Sequence, residues 1–506
     1  VSFSSNPTSS NLGSSSPNAG NPNTSSPTSS NLGSSNPNAG SPTSSNSTEP
    51  DVGANSSTTS TSHNPIARQS ASSDLTYDVI VIGGGPAGLM ASLAAADFGA
   101  RTLLLEKGNK LGRKLGISGG GRCNVTNAKP LPELMENIPG NGRFMHSALH
   151  RFSNSDVMQF FEGLGIALKE EDRGRVFPVT DKAQTVVKAL VNRVFEAGVD
   201  VWEECRVKDL MTADSRITGV VLSDKRVVYA PSVVIATGGA SVPKTGSTGD
   251  AYPWAARVGH AIVSPYPTEV PLTSKDWFIR ERTLQGLSLR GIHISVYVHG
   301  KKQKKLTTET GDMLFTHFGL SGPAALRCSH YVSTARRKDT DCRLTAHIDV
   351  LPSQPLSELQ ADLKRAKEEE PKKHIHNLLP RFIPDRLADV ILEVAKIPAD
   401  TPMSEVKNTD LDAIAQHIKG FVVEITGTLP LEQATVTGGG VSVREIDPRT
   451  MASKVCDGLY FAGEVMDVHA HTGGYNITVA FSSGHLAGSS AAEHALAAAT
   501  SQQLQP

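Results

Sequence analysis

The chain has 506 residues, with 49 Lys plus Arg against 50 Asp plus Glu and a formal charge of −1. That balance excludes a globally basic nucleic-acid binder and an acidic solvating tail as its main character. No run of eighteen apolar residues occurs, so no membrane-spanning helix is expected, and the length predicts two to four domains.

The five cysteines are Cys123, Cys205, Cys328, Cys342 and Cys456, an odd count with no CxxC pair. This argues against a disulfide scaffold, a thiol–disulfide oxidoreductase and a zinc ribbon, and for a reducing intracellular compartment.

Residues 1–73 are Ser, Asn, Thr, Pro and Gly, with only Glu49, Asp51 and Arg68 charged. TSSNLGSS begins at Thr8 and again at Thr28, but each repeat brings one Leu and cannot bury a face. The segment is predicted to be a disordered leader. It is Ser-rich and acid-poor, as transit peptides are, without their arginines, which leaves plastid or mitochondrial targeting open.

Residues 74–267 alternate short apolar runs with helical patterns. Asp78–Ile82 reads as a buried parallel strand, a helix is predicted from about Pro86 to Phe98, and Thr102–Glu106 is a second strand. Val157, Phe160, Phe161 and Leu164 fall at helical spacing, as do Val187, Leu190, Val191 and Val194, and Val233–Thr237 is another strand. This is the rhythm of a doubly wound α/β sheet. In residues 268–355 the strict alternations Ile292–Val298 and Leu344–Val350 predict antiparallel strands in a β-rich insertion with few helices. Residues 356–425 read as a charged helical insertion. Residues 426–506 restore the first rhythm, with a last helix from about Asn476. The fold class is therefore α/β: a doubly wound, Rossmann-like domain split by a β-rich and a helical insertion.

Gly83-Gly84-Gly85-Pro86-Ala87-Gly88 fits GxGxxG between a strand and a helix. Gly83 serves the tight turn, Gly85 the approach of a pyrophosphate, and Gly88 the packing of helix on strand. Glu106 ends the second strand 18 residues after Gly88, where a carboxylate accepts ribose hydroxyls. Ala236-Thr237-Gly238-Gly239 and Gly458–Glu464 are similar to segments of two-dinucleotide-fold flavoproteins, which favours FAD as the resident cofactor. No second GxGxxG with a matching acid follows, so NAD(P)H is expected only as a transient reductant.

GRKLGISGGGRCNVTN at Gly112–Asn127, GRVFPVT at Gly174–Thr180, MLFTHFGLSGP at Met313–Pro323, TGGGV at Thr437–Val441 and GLYFAGEVMDV from Gly458 complete a pattern. It resembles the BaiN/YhiN-like family of flavoproteins, also labelled NAD(P)/FAD-dependent oxidoreductase or aminoacetone oxidase family, over about Asp78 to Ser490. The resemblance implies a Rossmann-like, two-dinucleotide-fold FAD domain split by a β-barrel-like and a helical insertion, with FAD contacts at the phosphate loop, Glu106, the SGGGRCN loop and the Gly463–Glu464 segment. The family often has Asp where this chain has His469 and Gln where it has Thr478.

The expected cofactor contacts are Gly83, Gly85, Pro86, Ala87, Gly88, Glu106, Lys107, Ser118, Gly120, Arg122, Cys123, Asn124, Val207, Thr237, Gly238, Gly463, Glu464, Gly474, Tyr475 and Asn476. Candidate catalytic groups are His469 as proton donor, Cys123 as a thiol over the flavin, and Arg122 as a cation near reduced flavin. For Cys123 a structural thiol is the favoured reading. His469 and His471 form an H-x-H pair that supplies too few ligands for a metal. Lys301, Lys302, Lys304 and Lys305 read as a solvated hairpin turn.

The leading functional reading is an FAD-dependent oxidoreductase passing hydride between a small organic substrate and flavin. The alternative is a flavin-dependent RNA-modifying or RNA-associated protein, in which the lysines form one basic face with Arg336, Arg337 and Lys338. Nucleic acid is the less favoured partner, and a non-catalytic flavin-binding protein the least favoured reading.

Overall fold

A computed structural model describes residues 75–503, so the expectations for the leader lie outside the described residues. Five parallel strands form the first sheet, in the order Leu459–Phe461, Ser232–Ile235, Val79–Ile82, Thr102–Leu105 and Asp200–Trp202. All four residues of the central strand Val79–Ile82 are buried, as an all-apolar strand covered on both faces must be.

The helix Pro86–Asp97 follows that strand, and the last helix, Tyr475–Gln503, packs along it. A Cβ at Gly484 would lie 2.3 Å from the Ala87 carbonyl oxygen, and one at Gly488 would lie 2.1 Å from that of Ala91. The two helices therefore meet backbone to backbone, which fixes where the last helix begins relative to the phosphate loop.

The antiparallel ribbon Ile262–Thr268 with Val436–Val441 carries the chain out of this unit and back. Between its strands lies a seven-stranded sheet in the order Phe421–Ile425, Arg343–Asp349, Ser288–His299, Gln303–Phe315, Gly319–Ser321, Leu272–Thr273 and Gly427–Thr428. Its two edge strands are separated in sequence by Thr426 alone, so the sheet curls round until its edges meet. The alternating residues Ile292, Ile294 and Val296 point into it and are fully buried.

The sequence reading found few helices in residues 268–355, but Pro323–Lys338 is a helix of 16 residues. Its buried side is made largely of small residues, Ala324, Ala325, Cys328, Ser329, Val332 and Ser333, which give little periodic signal.

Two apolar cores result. One joins Tyr77–Ala255 with Val441–Ala495, and the other joins residues from Leu272 to Ile425. In the second, Leu359, Leu363, Ile391 and Leu411 of the helical segment pack with Ile348 and Phe421 of the sheet, so one core serves both inserted segments. Among the described residues no helix is long and apolar enough to cross a membrane.

Candidate functional site

The phosphate loop has the geometry its glycines demand. Gly83 sits at φ +107°, and a Cβ there would lie 2.7 Å from the Ala236 carbonyl oxygen. A Cβ at Gly88 would lie 1.8 Å from the Gly83 carbonyl oxygen, so strand and helix are locked together at that point. A Cβ at Gly85 meets nothing within 4 Å. Gly85 is the N-cap of the helix, Pro86 is its first residue, and both line a cavity.

That cavity has a volume of about 1230 Å³ and lies outside the carboxyl ends of the parallel strands, where α/β sheets bind ligands. It exceeds the roughly 300–1000 Å³ usual for small-molecule pockets. Of the expected cofactor contacts, all but Gly88 and Cys123 line it.

Glu106 is held by two backbone donors: the Gly84 N–H reaches Oε2 at 2.8 Å and the Gly108 N–H reaches Oε1 at 2.7 Å. Lys107 donates to Asp250 at 2.8 Å and to Thr248. Lys114 donates to Glu464 at 2.8 Å, and the Thr437 N–H donates to the other oxygen of that carboxylate at 2.6 Å. Asn124 Oδ1 and Thr237 Oγ1 are buried in the lining and find no hydrogen-bond partner among the described residues. Buried polar atoms are seldom left unpaired, so these two point to a polar occupant.

At the far end the cavity is closed by Thr472, Gly473, Gly474 and the start of the last helix, Tyr475 and Asn476. The Asn476 side chain ties the preceding loop. Its Oδ1 accepts from the Ala470 N–H at 2.8 Å, and its Nδ2 donates to the carbonyls of Ala470 and His471.

The candidate catalytic residues are placed very differently. His469 is buried and lies outside the cavity lining. Its Nε2 is 2.9 Å from His330 Nδ1, and its other nitrogen packs on Gly140 without a partner. Burial, with His330 and His471 nearby, holds the His469 ring well below its ordinary pKa. Cys123 is also buried outside the lining, and burial pushes its thiol up to about 12, so it is not a thiolate near neutrality. Arg122 does line the cavity, but it is bound to Glu171 and Asp181 and stacks 4.1 Å from the Phe177 ring centroid. Two carboxylates thus offset its charge. The residue of the H-x-H pair that reaches the cavity is His471, paired with the buried Glu269.

Sequence reasoning missed Arg173, Thr308, Glu309, Thr310, Asp312 and Arg327 of the lining, and Glu269 behind His471. Glu269 lies 202 positions from His471, and nothing in Pro267–Pro271 signals a partner. Of the arginines grouped with the lysine cluster, Arg336 donates to the Thr340 and Ile425 carbonyls, and Arg337 stacks on Tyr266. Among the described residues no cluster of three or more His, Cys, Asp or Glu side chains could hold a metal.

Residues 77–490 match the family described as HI0933-like protein Rossmann domain. The chain is 33% identical to a ribosomal RNA dihydrouridine synthase of Escherichia coli (strain K12), covering 80% of this chain and 96% of that protein. It is 30% identical to a ribosomal RNA dihydrouridine synthase of Haemophilus influenzae, with the same two coverages. It is 28% identical to a 3-dehydro-bile acid delta(4,6)-reductase of Clostridium scindens, covering 82% of this chain and 98% of that protein.

Proposed function

Since the chain belongs to the HI0933-like family and is an FAD-dependent oxidoreductase, we propose that it saturates a carbon–carbon double bond conjugated to a carbonyl, with uracil in ribosomal RNA as the substrate. The named activities of the relatives support the reaction class. Dihydrouridine is uridine with its ring double bond saturated, and a delta(4,6)-reductase acting on a 3-dehydro bile acid saturates bonds conjugated to the 3-oxo group.

Bound FAD supplies the hydride chemistry. The chain's own residues would hold it as follows. The open face of Gly85 and the N-terminus of the helix Pro86–Asp97 would take the diphosphate. Glu106, fixed by the N–H groups of Gly84 and Gly108, would accept the ribose hydroxyls. Asn124 and Thr237 offer polar atoms that the protein leaves unmet. The first N–H groups of the last helix would face negative charge on the reduced ring. A reduced nicotinamide nucleotide is the proposed electron donor.

One observation carries RNA over a small organic substrate. The strand Gln303–Phe315 has the exposed Lys304 and Lys305 at one end and the cavity residues Thr308, Glu309, Thr310 and Asp312 further along. At about 3.3 Å per residue, Lys304 and Thr310 are roughly 20 Å apart. A base could enter the cavity while phosphates a few nucleotides away meet the hairpin tip, which also carries Lys301 and Lys302. A neutral total charge does not oppose this, because the positive charge is local. Arg173 adds a cation to the cavity lining, where Arg327 is paired with Glu309.

The test is anaerobic turnover of the FAD-loaded full chain with NADPH, on a ribosomal RNA transcript and on a 3-oxo-4-ene steroid. A two-hydrogen mass gain in uridines of the digested RNA is expected. Gain in the steroid alone would return the reading to a small organic substrate. Reduction of neither would remove both substrates.

A further inference from the structure

We infer that His471 is the proton donor of this reduction, held in place by the buried carboxylate of Glu269. The inference rests on the proposed reaction class and deepens it.

Saturating a double bond beside a carbonyl takes two steps. The hydride from reduced flavin adds to the carbon β to the carbonyl, and the electron pair of the double bond moves to the carbonyl oxygen as an enolate. A proton must then reach the α-carbon. The chain must therefore place an acid at the end of the cavity where substrate meets the flavin.

His471 meets that requirement by position. It lines the cavity and immediately precedes Thr472–Gly474 and the start of the last helix. Its Nδ1 lies 3.0 Å from Glu269 Oε1, and the two side chains are 6% and 1% exposed. The other Glu269 oxygen accepts the Thr472 N–H at 2.8 Å, so the carboxylate is fixed from two sides. The His471 backbone is fixed as well: its N–H donates to the Asn137 carbonyl at 2.9 Å, and its carbonyl accepts from Asn476. With Nδ1 given to Glu269, Nε2 is the nitrogen left for the cavity.

The pairing fits an acid. When protonated, the ring donates Nδ1–H to Glu269 and carries an Nε2 proton to deliver. After transfer the neutral ring keeps its hydrogen bond to Glu269 and regains a proton from solvent. Oxidised flavin is returned to the reduced state by the nicotinamide nucleotide, so two electrons and two hydrogens are accounted for. His330 and His469, which also lie beside His471, are both held below their ordinary values by burial and bring no positive charge to it near neutrality. Thr472 and Tyr475 are other protic side chains at this end of the cavity.

The test uses full-length, FAD-loaded chains reduced anaerobically and mixed with a ribosomal RNA transcript or with cyclohexenone. His471→Gln should bind FAD as the parent does and reoxidise normally in oxygen. Its reoxidation by whichever probe oxidises the parent should be about a hundredfold slower. Glu269→Gln should slow the same step, and the Nδ1 proton of His471 in nitrogen-labelled protein should move upfield, because an amide oxygen is a weaker acceptor than a carboxylate. A His471→Gln rate within about twofold of the parent overturns the inference while the reaction class stands. A parent chain oxidised by neither probe removes the reaction class, and the inference falls with it.

Discussion

Lys114 Nζ lies 2.8 Å from Glu464 Oε2, joining two residues 350 positions apart in the wall of the cavity. Burial alone would raise the Glu464 carboxyl. The Lys114 ammonium and the Thr437 N–H outweigh it, and the group is held below its ordinary 4.5. The stability this contributes is fully present above pH 4.5 and is lost as pH falls through the lowered value. Both side chains keep about a quarter of their exposure, so Lys114→Met should cost about 1–2 kcal/mol near neutrality, between the surface and buried cases. Urea unfolding of parent and variant should show that difference closing in acid. An equal difference at all pH values would count against the pair.

The glycines of the phosphate loop should separate folding from binding. Gly88→Ala drives a Cβ to within 1.8 Å of the Gly83 carbonyl oxygen and should destabilise the fold by about 3 kcal/mol. Gly85→Val puts its side chain into open space, so the melting curve without FAD should match the parent. Its FAD affinity should drop at least about tenfold, because the side chain stands where the diphosphate approaches. Fluorescence titration and a thermal melt give the two readouts.

What could be read from the chain before its fold was local. GxGxxG, Glu106 and the Ser118–Asn124 loop each depend on neighbours a few residues away, and the cavity gathers nearly all of them. The strands Val79–Ile82 and Ser288–His299 followed from apolar runs and alternation. The acid end of the site was not legible in this way. His469 and His471 differ by two positions, yet one ring meets His330 and the other meets Glu269. That choice is made by the ribbon and by the helix Pro323–Lys338, which approach from the inserted unit. Glu269 lies in a stretch flanked by Pro267 and Pro271 with no periodic pattern, so only the fold reveals its partner.

All five cysteines, Cys123, Cys205, Cys328, Cys342 and Cys456, are buried, and burial raises the thiol of each. A thiol reagent at neutral pH should therefore label the native chain far more slowly than the denatured one. Cys123→Ser should keep FAD binding and substrate reduction. Rapid labelling of Cys123, or loss of reduction with FAD still bound, would restore a chemical role to this thiol.

The His330–His469 contact predicts the acid limb of the stability curve. His330 sits on the helix Pro323–Lys338 and His469 in the return segment, so their 2.9 Å hydrogen bond ties the inserted unit to the flavin-binding unit. Burial first, and then the nearness of His471, push the His330 ring down to about 4, with Glu269 opposing. Its folded pKa is thus below the unfolded value of 6.5, and the unfolded chain binds more protons between those values. The stability it contributes is fully present above 6.5 and is lost as pH falls to about 4. The ring is half-buried, so the loss should be about 2 kcal/mol rather than the full value of the shift. His469, also held well below its ordinary value by burial, adds to the same limb. His330→Gln can still hydrogen-bond His469 but cannot titrate, and it should flatten the decline measured by urea unfolding across that range. An unchanged decline in the variant would mean that other groups carry the acid sensitivity and that this contact does not govern it.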